Sequence, residues 1–429
     1  MVETDSIQAI LAGRYRDTDT GEAVAVPTRS VLIADTLAGR EQELVAGLGF
    51  GESLLLVCDP NTFEALGYRV AAALSPRFRL VTLVLPTPLE ADARRSEQVR
   101  AACEPLDAVI AVGSGTVNDV CKYGAHLAGK PYAVFGTAPS MNGYTSVSAS
   151  ITVNGFKSSL PATAAHGVFL DLGVLAKAPP ALIRSGLGDS LCRCTAQADW
   201  LLAHLLRGQP YRELPFTLLT ADEEALLSEP EALLRGDRPA IARLARTLVL
   251  SGFGMTLCGS SHPASQGEHL ISHYIEMMSA PDWPKHLHGE QIGVTTLTMA
   301  ELQHRLMDGP PPCVAPTRAQ QQDLAAHFGE ALGTACWREF SRKLLDKQAA
   351  EDLNAELAQR WDAIRERIRP VLRPVEQLRR VLRRAGAPDT PEALHLPRAF
   401  YRAAVRHARE IRNRYTFLDL AGDSGLLQD

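Results

Sequence analysis

The sequence lacks several features that would assign a protein to a class directly. It has no excess of positive charge, since 44 lysines and arginines stand against 49 aspartates and glutamates and the net charge is −5. A nucleic-acid-binding face requires clustered basic residues, so a nucleic-acid partner is not expected. No apolar run reaches membrane-spanning length, and the N-terminus has no basic segment followed by an apolar one. We therefore expect neither a membrane span nor a signal peptide.

The cysteines also lack the pattern of a disulfide framework. There are 8 of them, scattered along the chain and mostly inside apolar runs. This distribution is typical of reduced, buried thiols and predicts a cytoplasmic protein. Cys192 and Cys194 form the one close pair, and that spacing alone is a poor metal or redox signal.

What the sequence does contain is material for two folded domains. Its 429 residues are 46% hydrophobic. Up to residue 178, short apolar runs alternate with helical stretches, and the runs at 53–58, 79–85, 108–112 and 132–139 predict strands. Strands that alternate with helices and are apolar throughout favour a mostly parallel sheet covered on both faces.

After residue 179 the strand signals stop and helical periodicity takes over, including the arginine-rich run from Asp352 to Arg384. We therefore predict an α/β domain over residues 1–178 and an all-helical domain over residues 179–429.

A glycine-containing turn is the first chemical signal. Gly113, Ser114, Gly115 and Thr116 directly follow a strand and open a helix, as a phosphate-binding turn does. The third glycine of the dinucleotide fingerprint is absent, because Asn118 stands there, so a plain tight turn is an equal alternative. Asp59 follows an earlier strand and can contact a ribose hydroxyl or cap the next helix.

A histidine cluster is the second signal. His269 and His273 are four residues apart, so on a helix they project from one face, and His288 follows beside a glycine. Such a group usually binds a metal or exchanges protons. Asp189 follows two glycines and is expected to stand at the start of a helix over 191–205, where a capping role is the simpler interpretation. Together with His269 and His288, however, Asp189 would complete an Asp/His/His set with a vacant position, which is typical of a catalytic divalent metal site.

Several motifs in a fixed order carry a family resemblance. They are the segments 111–119, 136–144, 186–189 with 198–200, 263–265, 268–273, 287–294 and 411–421. In them the chain resembles the sn-glycerol-1-phosphate dehydrogenases, including the bacterial AraM-like branch. That family belongs to the superfamily of iron-containing alcohol dehydrogenases, glycerol dehydrogenases and dehydroquinate synthases. The resemblance implies a Rossmann-like nucleotide domain followed by a helical metal-binding domain.

The resemblance also implies roles for individual residues. It makes Asp189, His269 and His288 the metal ligands and His273 the catalytic histidine. The cofactor contacts it implies are Asp59, Gly113, Ser114, Gly115, Thr116, Asp119, Thr137 and Ser140. The implied reaction is the reduction of dihydroxyacetone phosphate to sn-glycerol 1-phosphate by NADH or NADPH, with Zn²⁺ or Ni²⁺, in a homo-oligomer. Asp59 favours NAD, because a carboxylate repels a 2′-phosphate.

Four departures from the family pattern cluster at the expected substrate pocket. Asn142 replaces a usual aspartate, Arg193 a lysine, His262 an arginine and Gln266 a small residue. Asn142 and Arg193 are the predicted substrate contacts, so a related phosphorylated hydroxyketone is an alternative substrate. Two other functions stay open: a sugar-phosphate cyclase or lyase of the dehydroquinate-synthase type with transient NAD redox chemistry, and a non-catalytic relative.

Overall fold

The strands all lie in the first part of the described chain, where they alternate with helices. The computed structural model describes residues 5–427. Its strands are β1 (Ser30–Ala34), β2 (Ser53–Cys58), β3 (Arg79–Val84), β4 (Ala108–Gly113), β5 (Tyr132–Gly136), β6 (Ser148–Val153), β7 (Phe156–Pro161) and β8 (Gly167–Asp171). In the described chain only helices and irregular segments follow β8, so the predicted change from α/β to all-helical structure is confirmed.

The helices are numbered along the whole chain. They are α1 (Ser6–Leu11), α2 (Glu41–Ala46), α3 (Pro60–Thr62), α4 (Tyr68–Leu74), α5 (Ala93–Cys103), α6 (Gly115–Leu127), α7 (Leu172–Leu175), α8 (Pro180–Leu191), α9 (Arg193–Arg207), α10 (Leu214–Thr217), α11 (Thr220–Ser228), α12 (Glu231–Leu234), α13 (Arg238–Cys258), α14 (Gly267–Met278), α15 (His288–Asp308), α16 (Gln321–Phe328), α17 (Glu330–Phe340), α18 (Lys347–Ile368), α19 (Val375–Arg384), α20 (Arg398–His407) and α21 (Phe417–Asp423).

Six strands form one parallel sheet in the order β1-β8-β5-β4-β2-β3. The four predicted strands are confirmed as β2 to β5, although β5 ends at Gly136 and β3 at Val84. The central strand β4 is buried along its whole length, which explains its unbroken apolar sequence. Strands β6 and β7 form a separate antiparallel hairpin.

The parallel arrangement gathers one end of several strands. The carboxyl ends of β2, β4, β5 and β8 lie at the same edge of the sheet, because parallel neighbours share one direction. The residues that follow these strands therefore lie near one another. In open α/β sheets, ligands bind in the crevice at this edge.

The chain folds into two compact units. The first comprises the residues up to Ser190 together with Arg212–Ser261, and the second comprises Leu191–Tyr211 together with His262–Asp429. The sheet and α13 belong to the first unit, whereas α9 and α14 to α21 belong to the second. This division crosses the expected boundary at residue 178, because α13 packs against β1 and α7. The division into domains 1–178 and 179–429 stays a prediction.

Helix α13 is the one helix of residues 5–427 that is long and apolar enough to cross a membrane by composition. Its most apolar stretch is 61% buried inside the protein. That burial is typical of a core helix.

One sequence expectation is wrong at the level of elements. Asp189 does not stand at a helix start, because it lies inside α8, and the next helix begins at Arg193. The glycines before it do not interrupt α8. The arginine-rich run from Asp352 to Arg384 is helical, as its periodicity predicts, but in two parts: α18 ends at Ile368 and α19 begins at Val375. Pro370 and Pro374 lie between them, and proline removes a helical hydrogen bond.

Candidate active site

The glycine turn joins β4 to α6 at the carboxyl edge of the sheet. Gly113 ends β4, and a Cβ added there would lie 2.5 Å from the Cβ of Val117, so the tight turn requires glycine. Ser114 is the N-cap of α6, and its side chain makes no capping hydrogen bond. The first amides of this 13-residue helix therefore remain as donors for an anion.

A cavity of about 1100 Å³ lies in the first unit at this edge. Asp59, Ser114 and Thr137, three of the predicted cofactor contacts, line it together with Asp171, each following or ending a strand of the sheet. The lining also includes the cations Arg69, Lys177 and Arg238. The volume is close to the upper end of the range of known ligand sites, about 300–1,000 Å³.

Asp59 both caps a helix and lines this cavity. Its Oδ1 accepts a hydrogen bond from the amide of Thr62 at 2.8 Å, and its own amide donates to Thr62 Oγ1 at 3.0 Å. The reciprocal pair is a capping box, so the two interpretations of Asp59 are compatible. The cap fixes the carboxylate beside the cavity.

The other predicted cofactor residues differ in how far they are buried. Gly113, Gly115 and Thr116 belong to the turn and the first turn of α6. Ser140 is buried, and its carbonyl accepts from Ser185 Oγ at 3.0 Å. Asp119 is half-buried: its Oδ2 accepts from the amide of Ser150 at 3.1 Å, and burial raises its pKa. Its contact with a cofactor stays a prediction.

A buried lysine holds the loop that follows β5. Lys122 Nζ donates to the carbonyls of Gly143 and Ser148, at 2.5 Å and 3.0 Å, and to Ser146 Oγ at 2.9 Å. Burial lowers the pKa of Lys122 to about 8, although Asp119 opposes the shift. The loop that carries Asn142 is thereby anchored to α6.

Asp189 and Asn142 are joined in the first unit. The amide of Asn142 donates to Asp189 Oδ2 at 2.8 Å, and Asp189 is 4% exposed. The Nδ2 atom of the Asn142 side chain is buried and has no hydrogen-bond partner among residues 5–427. Because buried donors are normally hydrogen-bonded, this one indicates an acceptor from outside the chain.

Three histidines meet in the second unit, as their spacing predicts. His269 and His273 lie on α14, and His288 is the first residue of α15. The ring centroids are 5.1 Å apart for His269 and His288, 6.0 Å for His269 and His273, and 5.8 Å for His273 and His288.

Two of the three imidazoles bond to carboxylates through Nδ1. His269 Nδ1 is 3.0 Å from Glu268 Oε1, and His288 Nδ1 is 3.0 Å from Glu276 Oε1. Each carboxylate requires the proton on Nδ1, which puts the lone pair of the neutral ring on Nε2. Metal-binding histidines have this arrangement.

His273 differs from the other two. Its Nδ1 is buried and has no hydrogen-bond partner in the described chain. Burial lowers its pKa well below the ordinary value, and Arg412, His288 and His269 add to that effect against Glu276. This imidazole is therefore neutral at pH 7.

A second set of possible ligands shares His269. Cys192 Sγ, one carboxylate oxygen of Glu268 and one ring nitrogen of His269 lie within 4.8 Å of one another. The thiol donates to the Ala264 carbonyl at 3.7 Å, and Glu268 accepts from three donors. The Cys192 and Glu268 atoms already make hydrogen bonds within the protein, so we assign Glu268 the role of holding the His269 ring.

The predicted pocket residues of the second unit lie near the start of α9 and before α14. Arg193 is the first residue of α9. His262 lies 5.8 Å from the ring of Trp200, and its carbonyl accepts from Gln266 Nε2 at 2.9 Å.

Two carboxylates of the site were not predicted from the sequence. Glu268 directly precedes His269, and Glu276 lies one turn after His273, so the signal was a pair of acids within the histidine segment. Their pairing with particular nitrogens depends on rotamers that no spacing specifies.

Comparisons with known proteins identify the family. The family model described as iron-containing alcohol dehydrogenase matches residues 32–179. The chain is 28% identical to glycerol-1-phosphate dehydrogenase [NAD(P)+] of Bacillus licheniformis over 396 residues, which cover 90% of this chain and 87% of that protein. It is 32% identical to the protein of that name from Thermococcus kodakarensis over 276 residues, which cover 64% of this chain and 77% of the relative.

A solved structure with the same fold is the probable glycerol dehydrogenase from Sinorhizobium meliloti. Its TM-score is 0.59 at 17% identity, and the match covers 93% of this chain and 94% of that one. The structural match shows the fold, which agrees with the predicted Rossmann-like and helical parts. The sequence relatives show more: the chain belongs to the glycerol-1-phosphate dehydrogenase family.

Proposed function

We propose that the protein is a metal-dependent NAD(P)H oxidoreductase that reduces dihydroxyacetone phosphate, or a related phosphorylated hydroxyketone, to sn-glycerol 1-phosphate. The observation that carries the proposal is the pair His269 and His288, whose Nδ1 atoms are each bonded to a carboxylate. Family membership supports the same reaction.

The metal ligands in this proposal are Asp189, His269 and His288. The donor set fits a divalent ion, because one carboxylate and two neutral imidazoles leave a position for substrate. A carboxylate at Nδ1 of each ring favours the tautomer that metal binding through Nε2 requires. Zn²⁺ is the first candidate and Ni²⁺ the second.

The cofactor site in this proposal is the cavity of the first unit. The glycine turn from Gly113 to Thr116 supplies amides for a diphosphate, and Asp59 supplies an acceptor for a ribose hydroxyl. Thr137 and Ser140 are the proposed contacts near the nicotinamide. We expect NADH to be preferred over NADPH, because the Asp59 carboxylate repels a 2′-phosphate.

When bound, the two groups supply a hydride donor and a Lewis acid that polarises a carbonyl. The protein has to supply the proton and hold the substrate. His273 is neutral at pH 7 and lies among the proposed ligands, so it can exchange a proton through Nε2. Asn142 Nδ2, a buried donor, is the proposed contact to a substrate oxygen, and Arg193 is the proposed contact to its phosphate.

The experiment that tests the proposal measures metal content and cofactor oxidation together. Purified protein supplied with Zn²⁺ or Ni²⁺ is expected to oxidise NADH stoichiometrically with dihydroxyacetone phosphate. His269→Ala should lose both bound metal and turnover. The control is His304→Ala on α15, whose Nε2 bonds to the Arg373 carbonyl. Unchanged metal content and turnover in His269→Ala would contradict the ligand assignment.

The same assay separates the remaining functions. A cyclase or lyase with transient redox chemistry would convert substrate without net loss of NADH. A non-catalytic relative would neither retain metal nor oxidise NADH with any ketone of a phosphorylated panel.

The setting of the enzyme is a further part of the proposal. We propose a cytoplasmic homo-oligomer, and the eight cysteines, all of which are free thiols, support a reducing compartment. Sedimentation equilibrium of the full chain would test the oligomer.

A further inference from the structure

Glu268 stands out as a buried carboxylate in a position where burial is costly. It is 0% exposed, on the first turn of α14. Removing a carboxylate from water is unfavourable unless hydrogen bonds replace the lost solvation. An acid at such a position therefore indicates a task that an apolar side chain cannot perform.

The protein supplies Glu268 with donors from three directions. Its Oε1 accepts from the amide of Gln266 at 2.7 Å and from His269 Nδ1 at 3.0 Å. Its Oε2 accepts from Thr195 Oγ1 on α9 at 3.2 Å. The carboxylate is fixed from outside α14, so it can in turn fix the ring of His269.

The contact between Glu268 and His269 is a specific one. Neighbouring residues on a helix project in different directions and do not normally face each other. Here both side chains turn toward each other, which holds the imidazole in one rotamer with its Nδ1 on the acid. His288 has an equivalent contact with Glu276, whose side chain is 21% exposed.

The three histidines thus divide into two kinds. The two proposed metal ligands each have a carboxylate on Nδ1, whereas Nδ1 of His273, the proposed proton carrier, has no partner in the described residues. A carboxylate on Nδ1 sets the tautomer and increases the basicity of Nε2.

From this we infer that Glu268 is a positioning residue that holds His269 as the Nδ1–H tautomer and so prepares its Nε2 for the metal. The inference rests on the proposed function in one respect, the role of His269 as a ligand. The tautomer itself is a property of the metal-free protein.

The first measurement therefore needs no metal. In full-length protein labelled with ¹⁵N-histidine, the His269 ring, assigned by comparison with His269→Ala, should carry its proton on Nδ1. Glu268→Ala should remove that preference, whereas Glu268→Gln should keep it. The amide oxygen of glutamine can accept from Nδ1–H, and its amide nitrogen can donate to Thr195 Oγ1, so this variant has every partner it needs to fold.

The second measurement is metal affinity by competition with a chromophoric chelator. We expect Zn²⁺ to bind about 100-fold more weakly to Glu268→Ala and about 10-fold more weakly to Glu268→Gln, in the range known for loss of such partners. The absorption spectrum of the Co²⁺ form should change in Glu268→Ala, because the ring is no longer held.

The matched control is Glu410→Gln. Glu410 Oε2 lies 3.0 Å from His407 Nδ1, so it forms the same kind of pair elsewhere in the second unit. This variant should keep the His269 tautomer and the Zn²⁺ affinity of the parent. Circular dichroism and the melting temperature of each metal-free variant establish that it is folded.

The outcomes are distinguishable. If the parent binds no metal, the proposed function fails, and the ¹⁵N spectra still decide the role of Glu268. If folded Glu268→Ala keeps the Nδ1–H tautomer and the parent's Zn²⁺ affinity, the inference is overturned. If Glu268→Ala does not fold, Glu268→Gln decides: Nδ1–H with weakened Zn²⁺ binding supports it, and unchanged affinity overturns it.

Discussion

At the scale of single residues, burial decides which imidazoles carry charge. His262 packs beside Trp200, and burial, assisted by Arg414, lowers its pKa to about 3. The family resemblance of the sequence implies an arginine at position 262. The substitution therefore exchanges a permanent cation for a ring that is neutral at pH 7, which changes the charge of the expected substrate pocket.

The lowered pKa of His262 predicts that the stability of the protein depends on pH. The unfolded chain binds a proton here below about pH 6.5, whereas the folded protein does so only near pH 3, so stability falls as the pH is lowered through this window. Protonation of His262 in the unfolded chain therefore lowers the free energy of unfolding by about 2 kcal/mol between pH 7 and pH 5. Urea unfolding should show a shallower loss for His262→Gln than for the parent.

The control for this measurement is the same substitution at exposed His126. If His262→Gln and His126→Gln lose stability with acid as steeply as the parent, the neutral state of half-buried His262 is not the cause.

At the scale of elements, α8 places Asp189 through close backbone contact. A Cβ added to Gly186 would lie 1.8 Å from the carbonyl oxygen of Pro139. Ser185 and Asp189, one residue before and three after Gly186, both hydrogen-bond to the loop that follows β5. The glycine thus serves the packing of α8 against this loop and does not mark a helix end.

Gly186→Ala should force α8 away from that loop. We expect a loss of about 1–3 kcal/mol in the free energy of unfolding, as for other overpacked sites. Metal affinity should fall as well if Asp189 is a ligand. Gly47→Ala is the control, because its Cβ would lie 3.4 Å from the nearest atom, and it should be neutral or stabilising. Equal stability of the two variants, measured by urea unfolding, would contradict the prediction.

Local sequence patterns predict the elements that are determined by residues close together in the chain. The runs that form β2 and β4 are apolar and buried, and His269 and His273 share a helix as their spacing requires. The short strand β8 was not predicted, because five residues beginning with glycine carry little signal. The sequence predicts Asp189 at the start of a helix, whereas Asp189 lies near the end of α8. Glycines can precede a helix cap or lie within a helix, so they do not distinguish these two positions. The partners of Glu268 come from α9 and the preceding loop, which no spacing along α14 specifies.

At the scale of the whole molecule, the first unit is discontinuous in sequence. Its sheet ends with β8, but α13 packs against β1 and α7 from a segment that returns after Tyr211. We expect chains that end at residue 190 to be cleaved rapidly by protease, and chains that end at residue 261 to be cleaved within 191–211, whose partners in the second unit are missing, but protected elsewhere. The measurement is limited proteolysis of both truncated chains. Equal protection would show that α10 to α13 contribute little to this unit.

The order of the strands in the sheet also determines when β1 can pair during translation. Strand β1 leaves the ribosome early, yet its neighbour is β8, which is also the neighbour of β5. At ordinary rates of translation, β1 waits roughly 7–27 s for β8 to be made. During that interval Val31 and Ile33 have no strand beside them. The β1 segment is therefore a part of the nascent chain that a holding chaperone would protect.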